Sequence, residues 1–168
     1  MGTARKISGS RAVSAAAGSS DGKVDPRGPR FSAAITSVVL AAALISIPGD
    51  SSASLLVPIV LLAFQAMVFG AAALFGLQAQ LYGRVFRTLV VPRLGPPAEW
   101  EEEAPPRFSQ LVGLVFVLVA LVGLGFGLMW VAQIAVGFAL TAALLNAVFN
   151  YCLGCEMYLL AARLRIRT

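Results

Sequence analysis

Two thiols and a carboxylate lie close together near the end of the sequence. Cys152 and Cys155 are the only cysteines of the chain, and Glu156 follows the second one in the stretch NYCLGCEMYLL. A C-x-x-C pair has the spacing of thiol redox motifs, and an adjacent carboxylate is a group that can carry a thiol proton. These three residues are therefore the predicted catalytic site, for thiol–disulfide exchange or for sulfur transfer.

The composition argues against several other kinds of site. The chain contains no histidine, which removes a Ser-His-Asp triad and any zinc site built on imidazole. Two thiolates and one carboxylate fall short of the four ligands that most structural metal sites use. We therefore predict no metal and no cofactor. Whether the protein is an enzyme depends on whether the two cysteines react.

The surroundings of the thiols are predicted to be a lipid bilayer. The chain is 58% hydrophobic and 12% charged, against roughly 45–50% and about 25% in soluble domains. Too little polar surface remains to cover a soluble globule of this size. The sequence therefore predicts an integral, multi-pass protein of the cell membrane, with the lipid bilayer as its partner.

Four apolar segments are long enough to cross a membrane as helices. A hydrocarbon core of about 30 Å requires about 20 helical residues at about 1.5 Å each. The predicted spans are residues 31–48, 55–77, 111–130 and 132–160. The predicted fold class is accordingly all-α, an integral membrane four-helix bundle.

The basic residues predict the orientation of this bundle. All 13 Lys and Arg residues lie before the first span, between the second and third, or after the fourth. With four spans these regions share one side of the membrane, and by the positive-inside rule both termini are cytoplasmic. The net charge of +5 is thus explained by topology. No nucleic-acid partner is predicted, because the charges form no stripe on a folded domain.

The chain is predicted to divide into a tail and a membrane domain. Residues 1–30 are rich in Gly, Ser and Ala with scattered charge, which predicts a disordered basic N-terminal tail. Residues 31–168 form the predicted four-transmembrane-helix domain, with a cytoplasmic amphipathic and acidic loop at about 79–108. The first part of that loop, LYGRVFRTLVV, is either an interfacial helix or an extension of the second span.

Small and polar residues inside the spans predict how the helices pack. Gly123 and Gly127 form a G-x-x-x-G pair, which permits close helix approach inside one bundle or, alternatively, in a homo-oligomer. Gln65, Asn146 and Asn150 are predicted to form interhelical hydrogen bonds rather than a substrate pathway. Asn150 would share a helix face with Asn146.

The reactivity of the thiols stays open on the residues alone. On a continuous fourth span, Cys152, Cys155 and Glu156 share one face, and Cys152 lies about 16 Å below the boundary residue Arg163. The C-terminal part of a helix, a low dielectric and a neighbouring carboxylate all disfavour a thiolate. The alternative is that the cysteines only pack between helices, while Glu156 snorkels to the interface or pairs with an arginine such as Arg84 or Arg163.

Three stretches carry a resemblance to a known family. VDPRGPRFSAAIT (24–36), YGRVFRTLVVPRL (82–94) and NYCLGCEMY (150–158) resemble the bacterial integral membrane proteins grouped as domain of unknown function 4395. Cys152 and Cys155 match the C-x-x-C of that family. Such proteins are often encoded near thioredoxin-like proteins and sulfurtransferases. The resemblance therefore implies thiol or sulfur chemistry at the membrane, with one of these proteins as partner.

Two functional hypotheses remain. The first is thiol–disulfide exchange or sulfur relay at the cytoplasmic leaflet, with Cys152 and Cys155 cycling between dithiol and disulfide and Glu156 managing the proton. A quinone or another lipid-soluble oxidant would suit that cycle, but no feature of the sequence identifies one. The second is a non-enzymatic membrane scaffold or complex subunit whose cysteines only pack. Alkylation before and after reduction distinguishes the two hypotheses.

Overall fold

Four long helices and several short elements make up the computed structural model, which describes residues 23–49, 54–95, 97 and 100–166. In chain order the elements are β1 (Lys23–Val24), α1 (Arg27–Ser46), α2 (Leu56–Phe75), α3 (Leu81–Val85), a π-helical turn (Phe86–Val90), α4 (Val91–Leu94), β2 (Glu101–Glu102), α5 (Ala104–Gly125), α6 (Met129–Phe149) and α7 (Leu153–Ile166).

Helices α1, α2, α5 and α6 are each long and apolar enough to cross a membrane. Their 20 to 22 residues correspond to about 30 Å of helix, which matches the hydrocarbon thickness of a bilayer. The predicted all-α fold with four membrane-spanning helices is confirmed. The cytoplasmic placement of both termini remains a prediction, because the fold by itself does not distinguish the two sides of a membrane.

The four spanning helices pack as a ring around one apolar core. Helix α1 contacts α2 and α6, and α5 contacts the same two helices. Each helix contributes a fully buried side chain, namely Leu40, Leu62, Val117 and Val136. Because lipid tails are as apolar as these side chains, close packing rather than transfer from water holds such helices together.

Arginines at one end of the bundle cap the termini of neighbouring helices. Arg107, at the start of α5, donates to the carbonyl oxygens of Ala73 and Leu74 at the end of α2, at 2.8 and 2.9 Å. Arg30, near the start of α1, donates to the carbonyl oxygen of Ala147 near the end of α6, at 3.4 Å. Cations are favourable at helix C-termini because of the helix dipole. We refer to this end, where α1 and α5 start and α2 and α6 finish, as the basic end.

The loop between α2 and α5 folds onto the basic end as separate helical segments. Helix α2 ends before Gly76, whose φ of 91° is left-handed, so the LYGRVFRTLVV stretch does not extend α2. Tyr82 and Phe86 of this stretch are buried, and the ring of Phe86 lies 5.5 Å from that of Phe31 in α1. Leu89 is exposed. Buried aromatics on one side and exposed apolar and basic residues on the other are typical of an interfacial helix.

The predicted tail, residues 1–30, lies mostly outside the described residues. Of its last part, β1 pairs antiparallel with β2 of the acidic stretch, and α1 begins at Arg27. The guanidinium of Arg27 also donates to the carbonyl oxygen of Gly95 at 3.0 Å. The residues just before the first span are therefore fastened to the loop between α2 and α5.

Gly123 and Gly127 do not form one helix face. Helix α5 ends at Gly125, and Gly127 has a φ of 72° in the turn before α6. Gly123 instead lets α5 approach the start of α6, since a Cβ there would lie 3.2 Å from the backbone nitrogen of Ala132. The predicted G-x-x-x-G face is therefore wrong, and Gly123 serves packing inside the bundle.

Gln65, in the middle of α2, is fully buried and hydrogen-bonded at both ends of its amide. Its Nε2 donates to Thr36 Oγ1 at 3.3 Å, and its Oε1 accepts from the Tyr82 hydroxyl at 3.0 Å. The predicted interhelical hydrogen bonding of Gln65 is confirmed. Burial raises the pKa of Tyr82 to about 12, because a phenolate there would lie in an apolar medium. We refer to Thr36, Gln65 and Tyr82 as the buried polar triad.

Candidate thiol site

The fourth spanning helix ends before the cysteines. Helix α6 stops at Phe149, and Asn150 adopts the left-handed conformation, with φ 56° and ψ 28°. The N–H of Asn150 still donates to the carbonyl oxygen of Asn146, at 3.2 Å. Asparagine is among the few residues that take this conformation readily, because its short side chain can bond locally. The predicted continuous span of 132–160 is therefore wrong, and Asn150 shares no helix face with Asn146.

Cys152 caps a new helix. Its carbonyl oxygen accepts the N–H of Glu156 at 3.0 Å, which is the first hydrogen bond of α7. Its Sγ accepts the N–H of Cys155 at 3.4 Å, in the place that a Ser, Thr or Asp oxygen usually takes at a helix start. A disulfide joins the two cysteines, whose Cα atoms are 5.2 Å apart, within the usual range. The structure thus places the thiol pair in the first turn of α7.

The thiol pair lies at the N-terminal end of a helix, whereas the sequence predicted the C-terminal part of one. The helix dipole therefore acts on the pair in the opposite sense from the one expected. The free N–H groups of a helix N-terminus favour negative charge, and reactive C-x-x-C cysteines usually occupy such a position. The expected location of Cys152 and Cys155 toward the C-terminal end of a span is wrong, because α6 ends at Phe149 and the pair begins a separate helix. The N–H of Cys155, which donates to the sulfur of Cys152, belongs to this N-terminal turn.

Gly154 fixes α7 against α5 through a backbone contact. A Cβ at Gly154 would lie 2.7 Å from Ser109 Cα and 2.8 Å from Ser109 Cβ, which is closer than packed carbon atoms approach. The rings of Phe108 and Tyr158 add a second contact between the same helices, with centroids 5.8 Å apart. Packing therefore requires the glycine between the two cysteines, and this contact sets where the disulfide lies on the bundle.

Glu156 lies in the first turn of α7, with its side chain exposed on the outside of the bundle. Among the described residues it forms no ion pair, so the expected pairing with Arg84 or Arg163 is absent. The expectation of a carboxylate inside a span is wrong because α6 ends at Phe149. A carboxylate is favourable at the start of a helix for the same reason as a thiolate. Its role as a proton carrier remains a prediction.

The two half-buried cysteines have different surroundings. Cys152 lines a cavity of about 240 Å³ between α1, α2, α5, α6 and α7, and Cys155 does not line it. The neighbouring side chains of Tyr151 and Leu153 are 47% and 37% exposed. The disulfide therefore joins a residue that lines the cavity to one that does not, and both cysteines are partly exposed.

This cavity is the part of the site that sequence reasoning missed. Its wall combines residues that lie far apart in the chain, from Pro29 to Met157, so no local pattern indicates it. Apart from Cys152, the sequence singles out only Asn146 among its polar lining residues, as an interhelical hydrogen-bonding group. The run of small residues in α6 that includes Ala142 and Ala143 is the one local signal of space beside this helix.

The thiolate and carboxylate groups of this site do not gather into a metal centre. Within the described ranges, no group of three or more His, Cys, Asp or Glu side chains is placed to hold a metal ion. Cys152 and Cys155 are bonded to each other, and Glu156 is exposed and does not line the cavity.

Comparison with known proteins identifies one family. A sequence model of the family described as Domain of unknown function (DUF4395) matches residues 24–163. The matched range contains all four spanning helices and the thiol pair. No curated protein and no solved structure matches the chain. The match confirms the resemblance carried by the three sequence stretches, and it assigns no activity.

Proposed function

We propose that this chain, which belongs to the DUF4395 family, exchanges electrons with a soluble dithiol protein through its Cys152–Cys155 disulfide at the basic end of the bundle. The observation that carries the proposal is the position of the disulfide, in the first turn of α7 and outside the four spanning helices. Exchange requires a thiolate to reach a disulfide sulfur, and a half-buried disulfide outside the spans meets that requirement.

The first step is the attack of a partner thiolate on the Sγ of Cys155. The bond between Cys155 and Cys152 breaks, and its electron pair leaves on Cys152. Cys152 is the better leaving group because the N–H of Cys155 already lies 3.4 Å from its Sγ, and a stabilised thiolate leaves faster. The partner is then held by a mixed disulfide to Cys155.

The second thiol of the partner completes the exchange. It attacks the partner's own sulfur in the mixed disulfide, so the partner departs as a disulfide and Cys155 is released as a thiolate. The two protons lost by the partner's thiols pass to Cys152 and Cys155, and Glu156 carries one of them in our proposal. The net result is one disulfide reduced and one dithiol oxidised.

The proposed partner is a thioredoxin-like protein on the cytoplasmic side. Described arginines at the basic end include Arg30, Arg84, Arg87 and Arg107, and such residues favour the cytoplasmic side of a membrane. A thioredoxin-like protein presents an accessible C-x-x-C pair, which supplies both the attacking and the resolving thiol. The family resemblance supports the same class of partner.

A purely structural disulfide explains the position less well. The stabilisation that a disulfide provides grows with the loop it closes, and for a sequence separation of 3 it amounts to about 2 kcal/mol. Helix α7 is already held against α5 by the contacts at Gly154 and Tyr158. The scaffold hypothesis predicts that replacing both cysteines changes stability and nothing else.

Sulfur relay from a sulfurtransferase is the second form of the proposal. In that reaction one cysteine carries a persulfide, which peptide mass spectrometry detects as one added sulfur atom on Cys152 or Cys155. The disulfide in the structure favours exchange over relay, because it is the oxidised state of the exchange cycle.

The test uses the purified full chain in lipid nanodiscs and a thioredoxin-like protein whose resolving cysteine is replaced by serine. Such a partner attacks the disulfide but cannot complete the exchange. We expect a covalent adduct on Cys155, with Cys152 free for maleimide labelling. Peptide mass spectrometry identifies the linkage, and dithiothreitol releases the partner.

The matched control is the double variant Cys152→Ser with Cys155→Ser. It should form no adduct, and its free energy of unfolding should stay within about 2 kcal/mol of the parent. The proposal fails if the parent forms no adduct although dithiothreitol reduces its disulfide. That result would show that a small thiol reaches the sulfur atoms but a protein does not.

A further inference from the structure

The cavity behind Cys152 has the size of a small ring-shaped ligand. Its volume is about 240 Å³, whereas a cavity of about 150 Å³ is enough to bind benzene. Most of its wall is apolar, and small residues create the space, among them Ala33, Gly113, Ala139 and Ala142. A substituted six-membered ring therefore fits the available volume.

Two polar side chains at this apolar space have no hydrogen-bond partner among the described residues. Ser109 of α5 and Asn146 of α6 both line the cavity, and no hydrogen bond of either side chain occurs within the described ranges. Both side chains are only half-buried, so their polar groups are accessible to a ligand or to water in the cavity. A ligand with two acceptor oxygens would satisfy both.

Two of the apolar residues that line the cavity are also exposed at the surface of the molecule. Phe138 of α6 and Met157 of α7 line it and are 63% and 54% exposed. Phe138 belongs to a spanning helix, so its exposed face meets lipid once the helix crosses the membrane. Its ring lies 6.1 Å from that of Phe116 across the α5–α6 contact. These two rings therefore lie where a lipid-soluble molecule would enter the cavity from the bilayer.

The proposed cycle of Cys152 requires a ligand that can oxidise a dithiol. The proposed exchange leaves Cys152 and Cys155 as a dithiol, and a second cycle requires an acceptor of two electrons. Because Cys152 lines the cavity, a molecule bound there lies beside this residue. A quinone combines the required properties, since it has a six-membered ring, two carbonyl oxygens, solubility in lipid and the capacity for two electrons and two protons.

We infer that the cavity binds a membrane quinone that reoxidises the Cys152–Cys155 dithiol, an inference that rests on the proposed function. In this step two S–H bonds break and one S–S bond forms. The two electrons and two protons pass to the quinone, which becomes the hydroquinone. Ser109 and Asn146 bind the carbonyl oxygens, and the thiolate of Cys152 delivers the electrons. The protein thereby connects a soluble dithiol with a lipid-soluble acceptor.

The test uses the full chain, reduced under anaerobic conditions in nanodiscs whose lipids contain no quinone. A short-chain ubiquinone or menaquinone analogue is then added. Maleimide labelling follows the loss of thiols, and absorbance follows the hydroquinone, of which we expect one molecule per disulfide. Ala142→Phe fills the cavity and should slow this oxidation at least tenfold. Leu144→Phe places the same ring on an exposed position of α6 and should react at the parental rate.

Asn146→Leu is a second variant, which keeps the size of the side chain and removes a donor. It should slow the reaction with quinone at least threefold, so the test does not depend on the folding of Ala142→Phe. Each variant is also oxidised with diamide, a water-soluble reagent that does not need the cavity. Slowing with quinone but not with diamide supports the inference, and equal quinone rates in the parent and both cavity variants overturn it.

The outcomes separate this inference from the proposed function. If the parent exchanges with the soluble partner but quinone leaves its thiols reduced, the inference fails and the proposed function stands. If native mass spectrometry finds a phospholipid chain in the cavity and added quinone does not displace it, the inference also fails. If quinone oxidises the dithiol but no partner adduct forms, the quinone site stands and the proposed soluble partner is rejected.

Discussion

The buried polar triad and the thiol site both place polar groups in an apolar bundle, but their surroundings differ. In the triad, Gln65 is fully buried and both ends of its amide are hydrogen-bonded. At the thiol site, the disulfide is half-buried, and Ser109 and Asn146 line a cavity without hydrogen-bond partners in the described ranges. Satisfied polar groups in a low dielectric hold helices in register, whereas unsatisfied groups beside a cavity are available to a ligand.

The difference follows from the local course of the chain. Thr36 and Gln65 lie within straight helices, so the ring of helices brings their side chains together in the interior. Cys152 and Cys155 follow a helix break at Asn150, which directs the chain out of the fourth span. The break at Asn150 therefore leaves the disulfide partly exposed, whereas Gln65 stays fully buried in the bundle.

Raising the pH tests whether the triad is closed. The pKa of Tyr82 is about 12 in the folded protein, against 10.0 for an ordinary tyrosine. Because the folded state holds this proton more tightly, the stabilisation is complete below pH 10 and is lost as the pH rises through about 12, in total about 3 kcal/mol. Unfolding in detergent between pH 9 and pH 12 measures this loss.

Tyr82→Phe should remove that part of the alkaline pH dependence, since no phenol remains to titrate. Tyr151→Phe is the matched control at an exposed tyrosine, and it should keep the dependence of the parent. A Tyr82→Phe profile that still falls as steeply as the parent would show that the triad is open to water.

Gly154→Ala tests whether one backbone contact positions the thiol site. The new Cβ would lie 2.7 Å from the Cα of Ser109, so α7 must move away from α5. We expect a loss of about 2 kcal/mol of stability and a changed rate of disulfide reduction by dithiothreitol, both measured in nanodiscs.

The control for that variant is Gly125→Ala, where no heavy atom lies within 4 Å of the added Cβ. It should leave the stability unchanged or raise it slightly. Ser109→Gly removes the Cβ and Oγ that crowd the new methyl group, so combining it with Gly154→Ala should restore part of the loss. If the double variant is no better than Gly154→Ala, another contact positions α7.

Leucine substitutions compare the two regions directly and have the smallest expected effect. Gln65→Leu leaves the hydroxyls of Tyr82 and Thr36 without their partner and should cost about 1 kcal/mol. Asn146→Leu removes an amide that has no partner in the described ranges and should leave the stability within about 0.5 kcal/mol of the parent. Equal losses in an unfolding assay would remove the distinction between a satisfied and an unsatisfied site.

The four spans follow from the sequence because crossing a membrane demands length and apolarity, and both are local properties. The starts and ends of α1 and α2 lie within a few residues of the predicted limits. The gathering of basic residues at one end also follows from the sequence, since their distribution among the loops shows it once the spans are counted. Gln65 was placed correctly in an interhelical hydrogen bond because an amide in lipid must find a partner.

The break at Asn150 was missed because hydropathy is apolar on both sides of it. One residue with a positive φ changes the direction of the chain without changing its composition. The length of the predicted span was the available warning. As one helix, residues 132–160 would extend about 44 Å, well beyond a hydrocarbon core of about 30 Å, and Asn150 was the residue best suited to end it.

The sequence by itself determined that the protein belongs in a lipid bilayer, how many helices span it and which two residues are the thiols. Each of these depends on residue types in a local window. The tertiary structure alone decided that the thiols begin a helix, that Gly154 packs on Ser109, and that Cys152 lines a cavity. These features depend on distances between α5, α6 and α7, which are fixed only when the helices pack. The proposed exchange depends on this placement, because a helix start favours negative charge and the end of a span does not.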